Sequence, residues 1–124
     1  MELKGTFQIT DWKETTKEEF NAGEKLSTAL VQQSYSGDIT GDSKVSYQLY
    51  YNKSGIAVFN GFEVITANIN NQQVLITIKH DGRFENGEAS SDFIIVDSSN
   101  DNNLVGKIGT FKSIEGGKAK YQIS

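Results

Sequence analysis

The sequence predicts an all-β chain: an eight-stranded antiparallel up-and-down barrel built from 124 residues. Three observations carry this. β-Rich runs follow one another along the chain, separated by short clusters of Gly, Asn, Asp and Ser. Within the runs apolar and polar residues alternate, and no segment shows a helical stripe. The connections are tight, and closing a meander of eight strands removes the edges that would otherwise recruit other chains. Proline is absent, so no run has to be assigned to a sheet edge on that ground.

The first strand is expected at about 4–13, with Phe7 and Ile9 on one face and Trp12 on the other. Residues 13–25 are charged and polar, with Phe20 the one large apolar side chain, and read as a loop with room for one helical turn. The second strand is expected at about 26–35. In the third, at about 43–52, Val45, Tyr47, Leu49 and Tyr51 alternate with Lys44, Ser46, Gln48 and Tyr50. The fourth covers about 56–69, and the fifth is marked by the alternation of 74–79. Asn86-Gly87 signals a hairpin into the sixth strand, because a type I′ turn needs positive φ at both central residues. The sixth strand is expected at about 88–97, the seventh at about 104–113 and the eighth at about 118–124. Ser98–Asn103 is a polar loop, and Gly116-Gly117 makes the last turn. No repeat, linker or composition shift divides residues 1–124, so a single domain is expected.

The fourth strand is apolar on both faces: Ile56, Val58, Phe62 and Val64 on one, Ala57, Phe59, Ile65 and Ala67 on the other. A barrel exterior in water should be polar, so an apolar one needs cover. A second copy of the chain is the expected cover, giving a homo-oligomer, a dimer or trimer. The competing cover is the 13–25 segment.

The charge balance narrows the partners. Sixteen acidic and 12 basic side chains leave a net charge of −4. No three lysines are consecutive. Nucleic acid and anionic membrane surfaces are therefore not expected partners. Without cysteine there is no thiol chemistry and no cysteine zinc site. The stretch from Asp97 begins like a calcium loop, but its sixth position is Asn102 and its twelfth Ile108, not glycine and glutamate. Neither a phosphate-cradling loop nor a nucleophile elbow occurs, and no cofactor is implied. Met1–Phe7 lacks an apolar leader core, and no apolar run approaches the roughly 20 residues that span a bilayer, so a cytoplasmic location is expected.

A few residues stand out as interior candidates. His80, the one histidine, shares a face with Val74, Ile76 and Ile78, where it suits a general base; the alternative is a hydrogen bond to backbone near Asp81-Gly82. Glu63 is a carboxylate in an apolar strand beside Gly61. Buried, it must be paired or hold its proton; the alternative is a solvated charge at the rim. Tyr35, Tyr47 and Tyr51 suit either a cavity wall or a packed core, and Phe59 joins Glu63, His80, Tyr47 and Tyr35 as a ligand-binding candidate. An eight-stranded barrel is just wide enough to be filled or to hold one small ligand.

Several of these residues belong to a longer pattern: Gly5-Thr6-Phe7 with Trp12, Lys25-Leu26, Ser36-Gly37 with Gly41 and Ser43, Tyr47, Phe59, Gly61 and Glu63, His80-Asp81-Gly82 with Phe84, Gly87 with Ala89, and Leu104 with Gly106 and Gly109. In this the chain resembles an uncharacterised bacterial family, a domain of unknown function. The resemblance implies a barrel of the allene-oxide-cyclase type, lipocalin-like in shape, and no assigned activity. One turn departs: the family's Ser-Gly-Thr-Gly-like turn is here Ser98–Asn103, without glycine.

Three functions compete. The expected one is an oligomeric barrel binding a small apolar or amphipathic molecule. The second is an isomerase- or cyclase-like enzyme using Glu63, His80 or both, and the third is a filled, purely structural barrel. An interior void above roughly 300 Å³ separates the first two from the third. Glu63 and His80 lining that void would point to the enzyme.

Overall fold

Alternation in the sequence becomes a sheet that closes on itself. The computed structural model describes residues 2–100 and 103–124. Its strands are β1 (Leu3–Glu19), β2 (Lys25–Gly37), β3 (Thr40–Tyr51), β4 (Ala57–Ile69), β5 (Gln72–Glu85), β6 (Glu88–Ser98), β7 (Ile108–Ile114) and β8 (Lys118–Ile123). Each strand pairs antiparallel with the next. β8 returns to β1 through the register Leu3↔Ile123 to Gln8↔Lys118, which closes the barrel. Two hairpins use paired positive φ values, at Asn70 (52°) and Asn71 (66°) and at Asn86 (55°) and Gly87 (78°).

Two boundaries differ from expectation. Lys13–Glu19 is not a loop: it extends β1 and pairs with β2 from Lys13↔Leu30 to Glu19↔Lys25. Its residues are exposed on both faces, so the ladder leaves no alternation in the sequence. At the other boundary, Leu104–Lys107 precedes β7 as a turn, with Lys107 N–H donating to the Leu104 carbonyl at 3.1 Å. Of the Ser98–Asn103 loop, Asp101 and Asn102 lie outside the described residues.

A β-bulge decides which side chains enter the barrel. In β1, Ile9 pairs with Gln33 but Asp11 pairs with Gln32, so Thr10 is an extra residue. Before it Phe7 and Ile9 point inward; after it Trp12 and Glu14 do, opposite the buried Val31 and Ala29. Trp12 therefore shares the interior with Phe7, contrary to simple alternation.

The interior rings are seated by a repeated device. Inward aromatics lie directly across from inward glycines: Tyr121 from Gly5, Tyr35 from Gly41, Tyr47 from Gly61, Phe59 from Gly82 and Phe93 from Gly109. A Cβ on Gly82 would stand 2.1 Å from Phe59 Cζ, so the ring occupies the space that the glycine vacates. The barrel end near the β2–β3 and β4–β5 turns is sealed by Ile39, Ile65, Ile76, Ile95, Leu104 and Ile123, all buried.

Outside, Val58, Phe62 and Val64 are exposed by 52%, 55% and 39%. The 13–25 segment does not cover them. It stays in the sheet beside β2, and the Phe20 ring pairs with Tyr50, with centroids 6.5 Å apart.

Candidate functional site

Inside the closed sheet the candidate residues separate into two groups at different depths. The deeper group is polar. Glu63 on β4 and His80 on β5 are each 1% exposed. Glu63 Oε1 lies 2.6 Å from His80 Nε2, and Tyr35 on β2 donates its hydroxyl to Glu63 Oε2 at 2.5 Å. His80 Nδ1 lies 2.9 Å from Ser91 Oγ on β6. The Ser91 hydroxyl also lies 3.2 Å from the Asp92 carbonyl, to which it can donate. Glu63 is thus paired with His80 and accepts from Tyr35, and these two contacts offset the cost of burying a carboxylate in an apolar strand. Burial, reinforced by the Glu63 charge and hydrogen bond, pushes the Tyr35 phenol well above its ordinary range and keeps it a donor.

The second group lines a cavity of about 360 Å³. It opens at the barrel end that carries the β1–β2, β3–β4, β5–β6 and β7–β8 connections. Its wall is largely aromatic: Phe7, Trp12, Tyr47, Phe59, Phe84 and Phe111, with Ile9 and Leu49 between them. Tyr47 and Phe59 meet edge-on at 4.9 Å. Polar side chains on the wall are few, among them Gln33, Glu14, Tyr51 and Ser113, with Lys118.

Of the candidates named from sequence, Tyr47, Tyr51 and Phe59 line this cavity, whereas Glu63, His80 and Tyr35 do not. The His80 ring packs against Tyr47 at 5.7 Å and Phe111 at 5.5 Å, and both of those line the cavity. The two rings therefore stand between the polar cluster and the void.

Tyr47 differs from its neighbours in one respect. The hydroxyls of Tyr35, Tyr51 and Tyr121 all have partners: Glu63, Glu14, and the Ser36 carbonyl with the Ile39 N–H. Tyr47 is 3% exposed, yet its hydroxyl bonds to none of the described residues. Protein atoms do not seal it in, so it opens to the cavity that the residue lines. Burial, with a smaller push from the Glu63 charge, holds this phenol well above its ordinary range.

Glu14 is the residue that the sequence did not single out. Its Oε2 accepts from Ser27 at 2.5 Å and from Tyr51 at 2.7 Å, and its Oε1 accepts from Trp12 Nε1 at 3.1 Å. Burial opposes its charge, but these three bonds and nearby Lys25 outweigh it and hold the carboxyl below its ordinary range. Reading 13–25 as a loop hid this node; only the extra residue at Thr10 brings Glu14 to the mouth.

Elsewhere, a groove of about 610 Å³ runs over the outer side of β5–β8, lined by outward residues such as Lys79, Asp92, Ile94 and Thr110. It is an open surface, not an interior site. Among the described residues no three His, Asp or Glu converge to hold a metal ion, and no helix is long and apolar enough to cross a membrane.

A crystal structure of a protein with unknown function from the DUF3224 family, from Shewanella oneidensis MR-1, matches this fold with a TM-score of 0.70. The two are 22% identical over 100% of this chain and 94% of that one. No curated protein matches. The family model described as "Protein of unknown function (DUF3224)" spans residues 3–124. With that match running from the first strand to beyond the last, the chain belongs to the DUF3224 family.

Proposed function

We propose that this chain is a small-molecule-binding barrel whose mouth cavity takes an apolar or amphipathic ligand. The observation that carries the reading is the cavity itself: about 360 Å³, open at one end and walled by seven aromatic side chains. A purely structural barrel has no use for such a void, because empty apolar space costs stability. Acid–base catalysis by Glu63 and His80 is disfavoured, since both lie behind Tyr47 and Phe111 with their polar atoms committed to one another and to Tyr35 and Ser91. An allene-oxide-cyclase-like barrel, which the sequence resemblance implies, would suit a site of this shape and adds no chemistry.

The proposal includes a second copy of the chain seated on the exposed strip of Val58, Phe62 and Val64. Native mass spectrometry of the purified protein tests both parts at once. The expected spectrum shows a multiple of the 13.7 kDa subunit carrying a small-molecule adduct that collisional activation releases. A bare single subunit, together with no binding of added acetophenone or α-methylstyrene, overturns the reading.

A further inference from the structure

We infer that the ligand is a neutral carbonyl compound with an apolar ring body, and that the Tyr47 hydroxyl donates the hydrogen bond that recognises its oxygen. This rests on the binding reading above and specifies its chemistry. A buried hydroxyl without a partner is unfavourable, and native proteins seldom keep one. Here the other buried tyrosines are satisfied by protein groups, while Tyr47 alone among them is left open, and it opens into an apolar void. The Tyr47 hydroxyl is therefore free to donate to an acceptor that arrives with the ligand.

The sign of the ligand follows from the surroundings. Phe7, Phe59 and Phe111 accompany Tyr47, and the one cationic side chain among the described residues of the wall is Lys118. Lys118 pairs across strands with Gln8 and Ile114 near the last turn, so it sits at the mouth. Glu63, behind Tyr47, is paired with His80, and Glu14 holds its negative charge beside the opening. A carboxylate or phosphate driven to Tyr47 would lose its hydration with no cation to replace it. A ketone, aldehyde or ester oxygen needs one donor, which the phenol supplies, and the aromatic wall takes the rest of the molecule.

Acetophenone and α-methylstyrene test this directly, because they share a shape and differ only in C=O against C=CH₂. Each is titrated into the full chain and into Tyr47→Phe, followed by the amide NMR shifts of cavity residues. Tyr47→Phe is expected to weaken acetophenone by roughly 3–10-fold, the usual worth of one neutral hydrogen bond, and to leave α-methylstyrene unchanged or slightly tighter. Equal effects on both, or none on either, overturn the role of Tyr47 while leaving the cavity as a binding site. Failure of both compounds to bind the unaltered chain removes the cavity reading and this inference with it. Folding provides an independent check: Tyr47→Phe deletes only an unpartnered hydroxyl, so its thermal midpoint should match or exceed that of the parent. A lower midpoint would mean that the hydroxyl is already satisfied in the free protein, which overturns the proposal.

Discussion

Glu63 and His80 are hydrogen-bonded to each other inside an apolar cylinder, and that bond, with those to Tyr35 and Ser91, makes the pair tolerable there. Replacing Glu63 by Gln keeps the shape and a hydrogen bond to His80 but exchanges a charge-assisted contact for a neutral one. Glu63→Gln is therefore expected to cost about 2 kcal/mol, measured by urea denaturation at pH 7. An unchanged midpoint would mean that the contact gains nothing from charge. Alternation in the sequence put His80 on the face of Val74, Ile76 and Ile78, but β4 is apolar on both faces, so it could not decide whether Glu63 points inward. Nor could it give their depth. Depth along the barrel axis depends on how β4 and β5 are staggered against β3 and β6, and that stagger sets Tyr47 and Phe111 between the pair and the cavity.

At the scale of the element, β1 shows what the sequence conceals. A strand such as β3 announces itself, since one buried face against one exposed face leaves a period of two. Lys13–Glu19 is solvent-exposed on both sides and leaves no period, although all of it but Lys17 pairs with β2. Leu104 errs the other way: buried beside Val105 in a turn, it imitates the start of a strand. The bulge at Thr10 is invisible to any period count, yet it places Trp12 and Glu14. Deleting Thr10 removes the extra residue and leaves Trp12 in step with Phe7 and Ile9, so plain alternation then holds it in the cavity opposite Val31. Trp12 is the single tryptophan, so its emission and its quenching by iodide should match the parent's. A red-shifted emission with stronger quenching would show that the strand slips its register instead.

For the molecule as a whole, the packed phenols set a limit at high pH. Tyr35 and Tyr47 titrate well above 10, Tyr121 is raised, and Tyr51 is pushed up to about 12, in each case by burial first. In an unfolded chain these groups release their protons near 10. Above that pH the unfolded state has fewer bound protons than the folded one, so stability present below pH 10 is lost as the pH climbs towards 12. Thermal midpoints followed by circular dichroism should hold steady up to about pH 9.5 and then fall at each step beyond; a flat profile to pH 11.5 would mean that the tyrosines ionise without penalty in the fold. The joining of β1 to β8 has a different consequence, one for synthesis on the ribosome. The free edge of β1 finds no partner until the last strand has been made, so the nascent chain carries an unshielded template throughout translation. Its assembly waits on the most sequence-distant contact in the protein, the kind that forms slowest, and until then that edge is open to pairing with a stranger.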